Sequence, residues 1–187
     1  MHIVRFIEWL EKRSTPKTIV GLVMAIIPFN AILFPWVNSR LEEISGYGLM
    51  DGLFWYLPQD VFTRLAAYQS SGRTLYLVND WTIDLIYPLV YSLLFALLLT
   101  MVLRSAFPPG SPLQRMQLLP LMMMIFDYLE NLSISLLLVQ YPTQSFLLAR
   151  IASIFTTLKW CFGAFSILAL TAGLIGLILV TIKPARA

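Results

Sequence analysis

Residues 126–133, Phe-Asp-Tyr-Leu-Glu-Asn-Leu-Ser, place two acids and an amide inside a segment, 117–139, that is otherwise almost pure hydrocarbon. On a helix, Asp127, Glu130, Asn131 and Ser135 share one face. A second set precedes them: Tyr76, Asp80, Asp84, Tyr87 and Tyr91 also recur at helical spacing, which predicts one face of one helix. Asn30 and Thr156 add polar groups from two further apolar segments, and Lys159 is, with Arg150, one of two charges in the last of them. Carboxylates in such surroundings must be protonated, paired or hydrated, because a lone charge at mid-bilayer costs several kcal/mol. Lys159 is the expected partner of Glu130 or Asp127. Arg73 or Arg150 is the expected partner of Asp80 or Asp84. An unpaired Glu130 would be a proton donor.

Other chemistries fit poorly. The only histidine, His2, is at the terminus, and Cys161 is the only cysteine. A histidine-based metal site, a serine triad and an internal disulfide are therefore excluded. Asp84, Asp127 and Glu130 are hard oxygen ligands, but their spacing matches no metal motif, and neither a metal nor a cofactor is expected. No phosphate loop, dinucleotide fingerprint or basic-aromatic nucleic-acid surface is present.

The chain that must hold these groups has 187 residues, of which 58% are hydrophobic and 12% charged. Its mean hydropathy is +0.76. Soluble domains carry about 25% charged residues, and a water-soluble protein of this size has too little interior to hide so much apolar side chain. The expected class is all-α: a polytopic membrane four-helix bundle forming a single domain over 1–187. Its spans are expected near 18–37, 81–102, 117–139 and 160–181. Twenty residues at ~1.5 Å each cover the ~30 Å bilayer core. Thr15-Pro16 is an N-cap followed by proline at the first helical position. Pro28 and Pro35 should bend the outer half of the first span. The helix of the second span can begin upstream near Thr74. Phe146–Ile182 lacks proline, so the last helix should run longer than its span.

Lysine and arginine set the orientation. Arg5, Lys12, Arg13, Lys17, Arg104, Arg115, Lys183 and Arg186 fall on one side; Arg40, Arg64, Arg73 and Arg150 fall on the other. The bias places both termini in the cytoplasm, and a bacterial inner membrane is the expected location. The acids and tyrosines then form a seam from mid-membrane outward, with nothing comparable in the cytoplasmic half. That is a pocket open to the outside and not a continuous pore.

Outside the spans, Ile3, Phe6, Ile7 and Leu10 make one apolar face over 2–12. This predicts a short N-terminal helix in the cytoplasmic interface or packed on the bundle. The external loop 38–80 should contain a helix opened by Pro58, with Gln59 and Asp60 in its first turn. Val61, Leu65 and Tyr68 should face the membrane or the bundle, and Ser70-Ser71-Gly72 should end it. Phe107-Pro108-Pro109-Gly110 reads as a cytoplasmic turn.

In order, the chain carries Asp51, Tyr56-Leu57-Pro58, Gly72-Arg73-Thr74-Leu75-Tyr76, Asp84 followed by Tyr87-Pro88-Leu89-Val90-Tyr91, Asp127-Tyr128-Leu129-Glu130-Asn131, and Lys159. This order resembles a family of uncharacterised small four-span integral membrane proteins with an Asp-x-x-Glu-Asn motif in the third span. The resemblance covers most of the chain past residue 50. It implies the fold and the residue set, and no reaction or substrate.

Three functions match the pattern. The first is binding of a lipid, small amphiphile or ion in the polar pocket. Asp84, Tyr87, Tyr91, Asp127, Glu130, Asn131 and Lys159 are then the principal site residues, with Asn30, Arg73, Tyr76 and Asp80 secondary. The second is a lipid-directed enzyme using Asp127 or Glu130 as acid or base with Asp84 as partner. The third is a structural or assembly subunit whose polar groups join helices. Expected partners are membrane lipids and another membrane protein, not nucleic acid.

Overall fold

The computed structural model of the chain describes residues 2–182. Lys183 and Arg186, counted above for orientation, lie outside the described residues, as do the side chains of His2 and Ile3. The described chain is helical without a strand. In order it forms α1 (His2–Arg13), α2 (Pro16–Pro28), a π-helical turn (Phe29–Leu33), α3 (Phe34–Ser45), α4 (Pro58–Ala67), α5 (Gln69–Asp80), α6 (Ile83–Ala106), a 3₁₀ segment (Pro112–Leu118), α7 (Leu119–Gln140) and α8 (Phe146–Ile182). Four stretches are long and apolar enough to cross a bilayer: Pro16–Ser45, Gln69–Ala106, Pro112–Gln140 and Phe146–Leu179. This is the architecture of an integral membrane protein.

The first span stands at the edge of the bundle. None of its most apolar stretch is buried, whereas half of that in the second span is. Its break has a local cause. Pro28 cannot donate to the carbonyl one turn back, and the ladder resumes through a π turn closed by Phe34 N–H donating to Phe29 O. The wider turn directs Asn30 so that its Nδ2 donates to Ile26 O at 3.1 Å while its Oδ1 accepts from the Tyr87 hydroxyl at 3.1 Å.

The polar stripe expected on one helix of the second span is divided between two. Thr82 leaves the helical region at φ −128°, ψ −78°, and its hydroxyl donates to Val78 O. Tyr76 and Asp80 therefore sit on α5, and Asp84 opens α6 in its first turn. A carboxylate there complements the helix dipole. The helix opened by Pro58 forms, and Val61, Leu65 and Tyr68 are buried. Ser70-Ser71-Gly72 does not end it. The break comes earlier, at Gln69 with φ +56°, and Gly72 lies inside α5. A Cβ on Gly72 would stand 3.1 Å from Tyr68 Cβ and 3.4 Å from the Ile44 side chain. Close approach to α3, not a turn, explains that glycine.

Helix α1 lies against α6. Leu10 is buried with Ile19 and Leu97, Ser14 Oγ donates to Leu97 O at 2.7 Å, and Glu11 pairs with Arg104 at 3.3 Å. Val4 and Trp9 remain exposed. Helix α8 runs unbroken for 37 residues, about 55 Å at 1.5 Å per residue, well beyond a bilayer core of about 30 Å. Its first part stands beside α4, where Phe146 meets Phe62 edge-on at 5.0 Å.

Candidate functional site

The connection from Gly46 to Leu57 has no regular structure, yet side chains from several elements hold its backbone. Asn38 Oδ1 accepts from Leu49 N–H at 3.0 Å, and the Tyr76 hydroxyl oxygen accepts from Met50 N–H at 2.9 Å. The Tyr68 hydroxyl donates to Gly48 O at 2.6 Å. From α8, Ser153 Oγ accepts from Tyr56 N–H at 3.1 Å and Trp160 Nε1 donates to Leu53 O at 2.9 Å. Buried peptide groups need partners, and Met50 and Tyr56, the buried residues of the connection, find theirs in Tyr76 and Ser153. Burial pushes the Tyr68 phenol up to about 12, so it remains a donor at neutral pH. Tyr76, expected in the membrane seam, serves this loop.

Beneath the loop is a cavity of about 470 Å³, walled by α2, the π turn and α3 on one side, by α6, α7 and α8 on the others, and roofed by Leu49, Asp51 and Gly52. Its polar wall carries Asn30, Asp84, Tyr87, Tyr91, Asp127 and Lys159; Ile26, Phe95 and Met123 are among its apolar residues.

Lys159 organises the polar wall. Its Nζ lies 2.6 Å from Glu130 Oε2 and 3.3 Å from Asp127 Oδ1, and it donates to Asp51 O at 3.3 Å. The other Asp127 oxygen, Oδ2, accepts from the Tyr91 hydroxyl at 2.7 Å. Asn131 Nδ2 donates to Asp84 Oδ2 at 3.1 Å. All four acids and amides in these contacts are buried, as is Lys159. Such charges persist out of water only when paired and hydrogen-bonded.

Not every expected residue reaches the cavity. Glu130 is fully enclosed behind Lys159, where Thr156 Oγ1 donates to its Oε1 at 2.6 Å and the Tyr56 hydroxyl lies 3.0 Å from the same Oγ1. Asn131 and Asp80 border a separate cavity of about 260 Å³ with Trp81, Leu85 and Tyr128. Asp80 accepts from Ser135 Oγ at 3.0 Å. The arginines do not pair with Asp80 or Asp84. Arg73 donates to Leu65 O at 2.9 Å and lies 4.0 Å over the Tyr141 ring, while Arg150 is exposed. Both stand too far along their helices on the loop side for the acids, which take hydroxyl and amide donors instead. Among the described residues no three or more histidine, cysteine or acidic side chains are arranged to hold a metal ion.

Phe34, Asn38 and Trp160 join the site from outside the expected residues, and Asp51, which entered only through the family resemblance, joins it as well. Asp51 had a signal: a carboxylate beside Gly52, flanked by Leu and Met and soon followed by Phe-Trp, is an unusual charge in an apolar loop. The others had none, since an aromatic or amide near a helix end is ordinary. No family model, curated protein or solved structure matches the chain.

Proposed function

We propose that this chain binds a lipid, a small amphiphile or an ion in an outward-facing intramembrane pocket. One observation carries the reading: the cavity of about 470 Å³ has Asp84, Asp127 and Lys159 in its walls together with two tyrosines. Packing alone requires helices joined through buried polar groups. It does not require those groups to face open space. Sites of this kind, mostly apolar with a few convergent polar groups, are the usual form of small-molecule pockets. The lysine and arginine distribution supports both termini in the cytoplasm of a bacterial inner membrane; alkaline phosphatase fused after residue 187 should then be inactive and fused within 46–57 active. The ordered motifs support membership of the four-span family with Asp-x-x-Glu-Asn.

The test is native mass spectrometry of the gently extracted full chain beside Asp84→Asn and Ile26→Trp. The reading expects a co-purifying species of defined mass that both variants lose. Equal retention by both variants would refute it.

A second reading, acid–base chemistry on a membrane substrate, is favoured by the hydrogen-bonded run from Tyr91 through Asp127 to Lys159 at the cavity wall. It expects turnover of a lipid that Asp127→Asn abolishes while the fold survives. The structural-subunit reading draws on Glu130 and Thr156, which join α7 to α8 away from the cavity.

A further inference from the structure

The cavity's charges do not balance. Asp51, Asp84 and Asp127 face it against Lys159 alone, and Lys159 is also bound to Glu130. Asp127 has both oxygens engaged, by Tyr91 and Lys159. Asp84 does not: Oδ2 accepts from Asn131, while Oδ1 has no donor among the described residues although the residue is 3% exposed and lines the cavity. Asp51 Oδ1 is likewise buried without a donor. Two carboxylates on different elements, one on the roof and one in the first turn of α6, thus border one space, each with an oxygen that has no donor among the described residues. Uncompensated negative charge in a low-dielectric site favours a cationic guest, and free acceptors favour a guest with N–H donors.

The cavity is also graded along its length. Asp51 and Asp84 stand at the loop end, while Ile26, Phe95 and Met123 lie deeper. Asn30, exposed and half-way along the first span, is part of the lining. It lies about 21 Å from Pro16 at 1.5 Å per residue, the depth of acyl chains and not of water. Between the two ends, Phe34 and Tyr87 meet edge-on at 4.9 Å, and aromatic faces attract cations.

We infer that the ligand is a primary ammonium ion on a hydrocarbon chain, its nitrogen between Asp51 and Asp84 and its chain along Ile26 and Phe95. The inference rests on the pocket reading and names its ligand class. A divalent metal fits less well, since no cluster of three ligating side chains is arranged for one among the described residues.

The test is calorimetry on the full chain in phosphatidylcholine nanodiscs, corrected with empty discs, using n-octylamine, n-octanol and n-octyltrimethylammonium. The inference expects saturable octylamine binding about tenfold or more tighter than octanol, a difference of about 1.4 kcal/mol. Octyltrimethylammonium, which has the charge without donors, should bind more weakly than octylamine. Asp84→Asn and Asp51→Asn should each weaken octylamine about tenfold and leave octanol unchanged. If Asp84→Asn fails to give a monodisperse protein, Asp51→Asn, in the loop, decides alone. Octanol binding as tightly as octylamine, or carboxamide variants that keep full octylamine affinity, overturns the ammonium assignment. If Ile26→Trp then still blocks both probes, the pocket reading survives it; no saturable binding of any probe sinks both. Phosphatidylethanolamine added to the discs separates the sources. A weaker apparent octylamine affinity assigns the ammonium to a lipid headgroup, and an unchanged one to a free amine; each supports the inference.

Discussion

Replacing Lys159 with methionine removes the single buried cation among the described residues while keeping most of the side-chain volume. Glu130 Oε2 loses a partner at 2.6 Å and Asp127 Oδ1 one at 3.3 Å. The paired side chains are no more than 6% exposed, so little water is available to replace the ammonium. Removing one partner of a buried ion pair costs about 3–5 kcal/mol, mostly as the penalty on the charge left behind. The exposed pair Arg40–Glu43 has a similar separation, 2.8 Å, with both side chains more than half exposed; such pairs are worth about 0–1 kcal/mol. Arg40→Met is therefore the control. The double variant Lys159→Met/Glu130→Gln should recover a large part of the loss, because a neutral amide needs no countercharge and can still accept from Thr156. The assay is equilibrium unfolding in mixed micelles by stepwise addition of sodium dodecyl sulfate, read by tryptophan fluorescence. A Lys159→Met cost no larger than that of Arg40→Met would refute the reasoning, as would a double variant no more stable than the single one.

Three further outcomes follow from local geometry. Burial is the main reason the Asp51 carboxyl is held above the usual carboxylate range, with Lys159 opposing it and Asp127 adding to it. A raised folded-state value stabilises fully below the unfolded carboxyl value near 4 and is lost as pH rises through the folded value. Ligand-free wild type should therefore lose stability relative to Asp51→Asn as pH rises above about 4, and parallel thermal unfolding profiles would contradict this. A Cβ on Gly173 would stand 2.8 Å from Val102 Cγ1 and 3.0 Å from Leu103 Cδ2, so Gly173→Ala should cost about 1–3 kcal/mol. Gly21 has nothing within 4 Å, and Gly21→Ala should show no such loss in the same unfolding assay. Tyr91→Phe removes the donor to Asp127 Oδ2 and should cost about 1–3 kcal/mol, with rescue in Tyr91→Phe/Asp127→Asn; a neutral Tyr91→Phe would place that bond outside the energetics of the fold.

The helices were legible because hydropathy sets them. Each apolar run became part of a spanning helix, and the proline-free stretch from Phe146 to Ile182 became one helix. Periodicity also placed Asp84, Tyr87 and Tyr91 on the face of α6 that turns toward Asp127. Lys159 met Glu130 and Asp127 because a buried cation among buried acids has no other partner of comparable strength. What failed was tertiary. Thr82 left the helical region between α5 and α6 with its hydroxyl on the Val78 carbonyl, which periodicity alone does not register. Gly72 sits where α3 presses on α5, and a sequence gives a glycine the same letter in a turn and in a crossing. The division between cavity and glue was also hidden: Glu130 and Asp127 lie one turn apart on one face, yet only Asp127 reaches open space. That difference depends on Thr156 and Tyr56 closing over Glu130, contacts spanning 26 and 100 residues of sequence from Thr156. Asp51 was hidden because a loop carboxylate ordinarily faces water, whereas five side chains hold this loop over the cavity.

The central claim is that the space between the first span and α6 is a ligand site. A cryo-EM map of the full chain in nanodiscs formed directly from the producing membrane, with a rigid antibody fragment as fiducial, tests it most directly. The account predicts elongated non-protein density with one end between Asp51 and Asp84 and the other beside Ile26 and Phe95. A first span closed onto α6, with Tyr87 filling the space and no density between them, would contradict it.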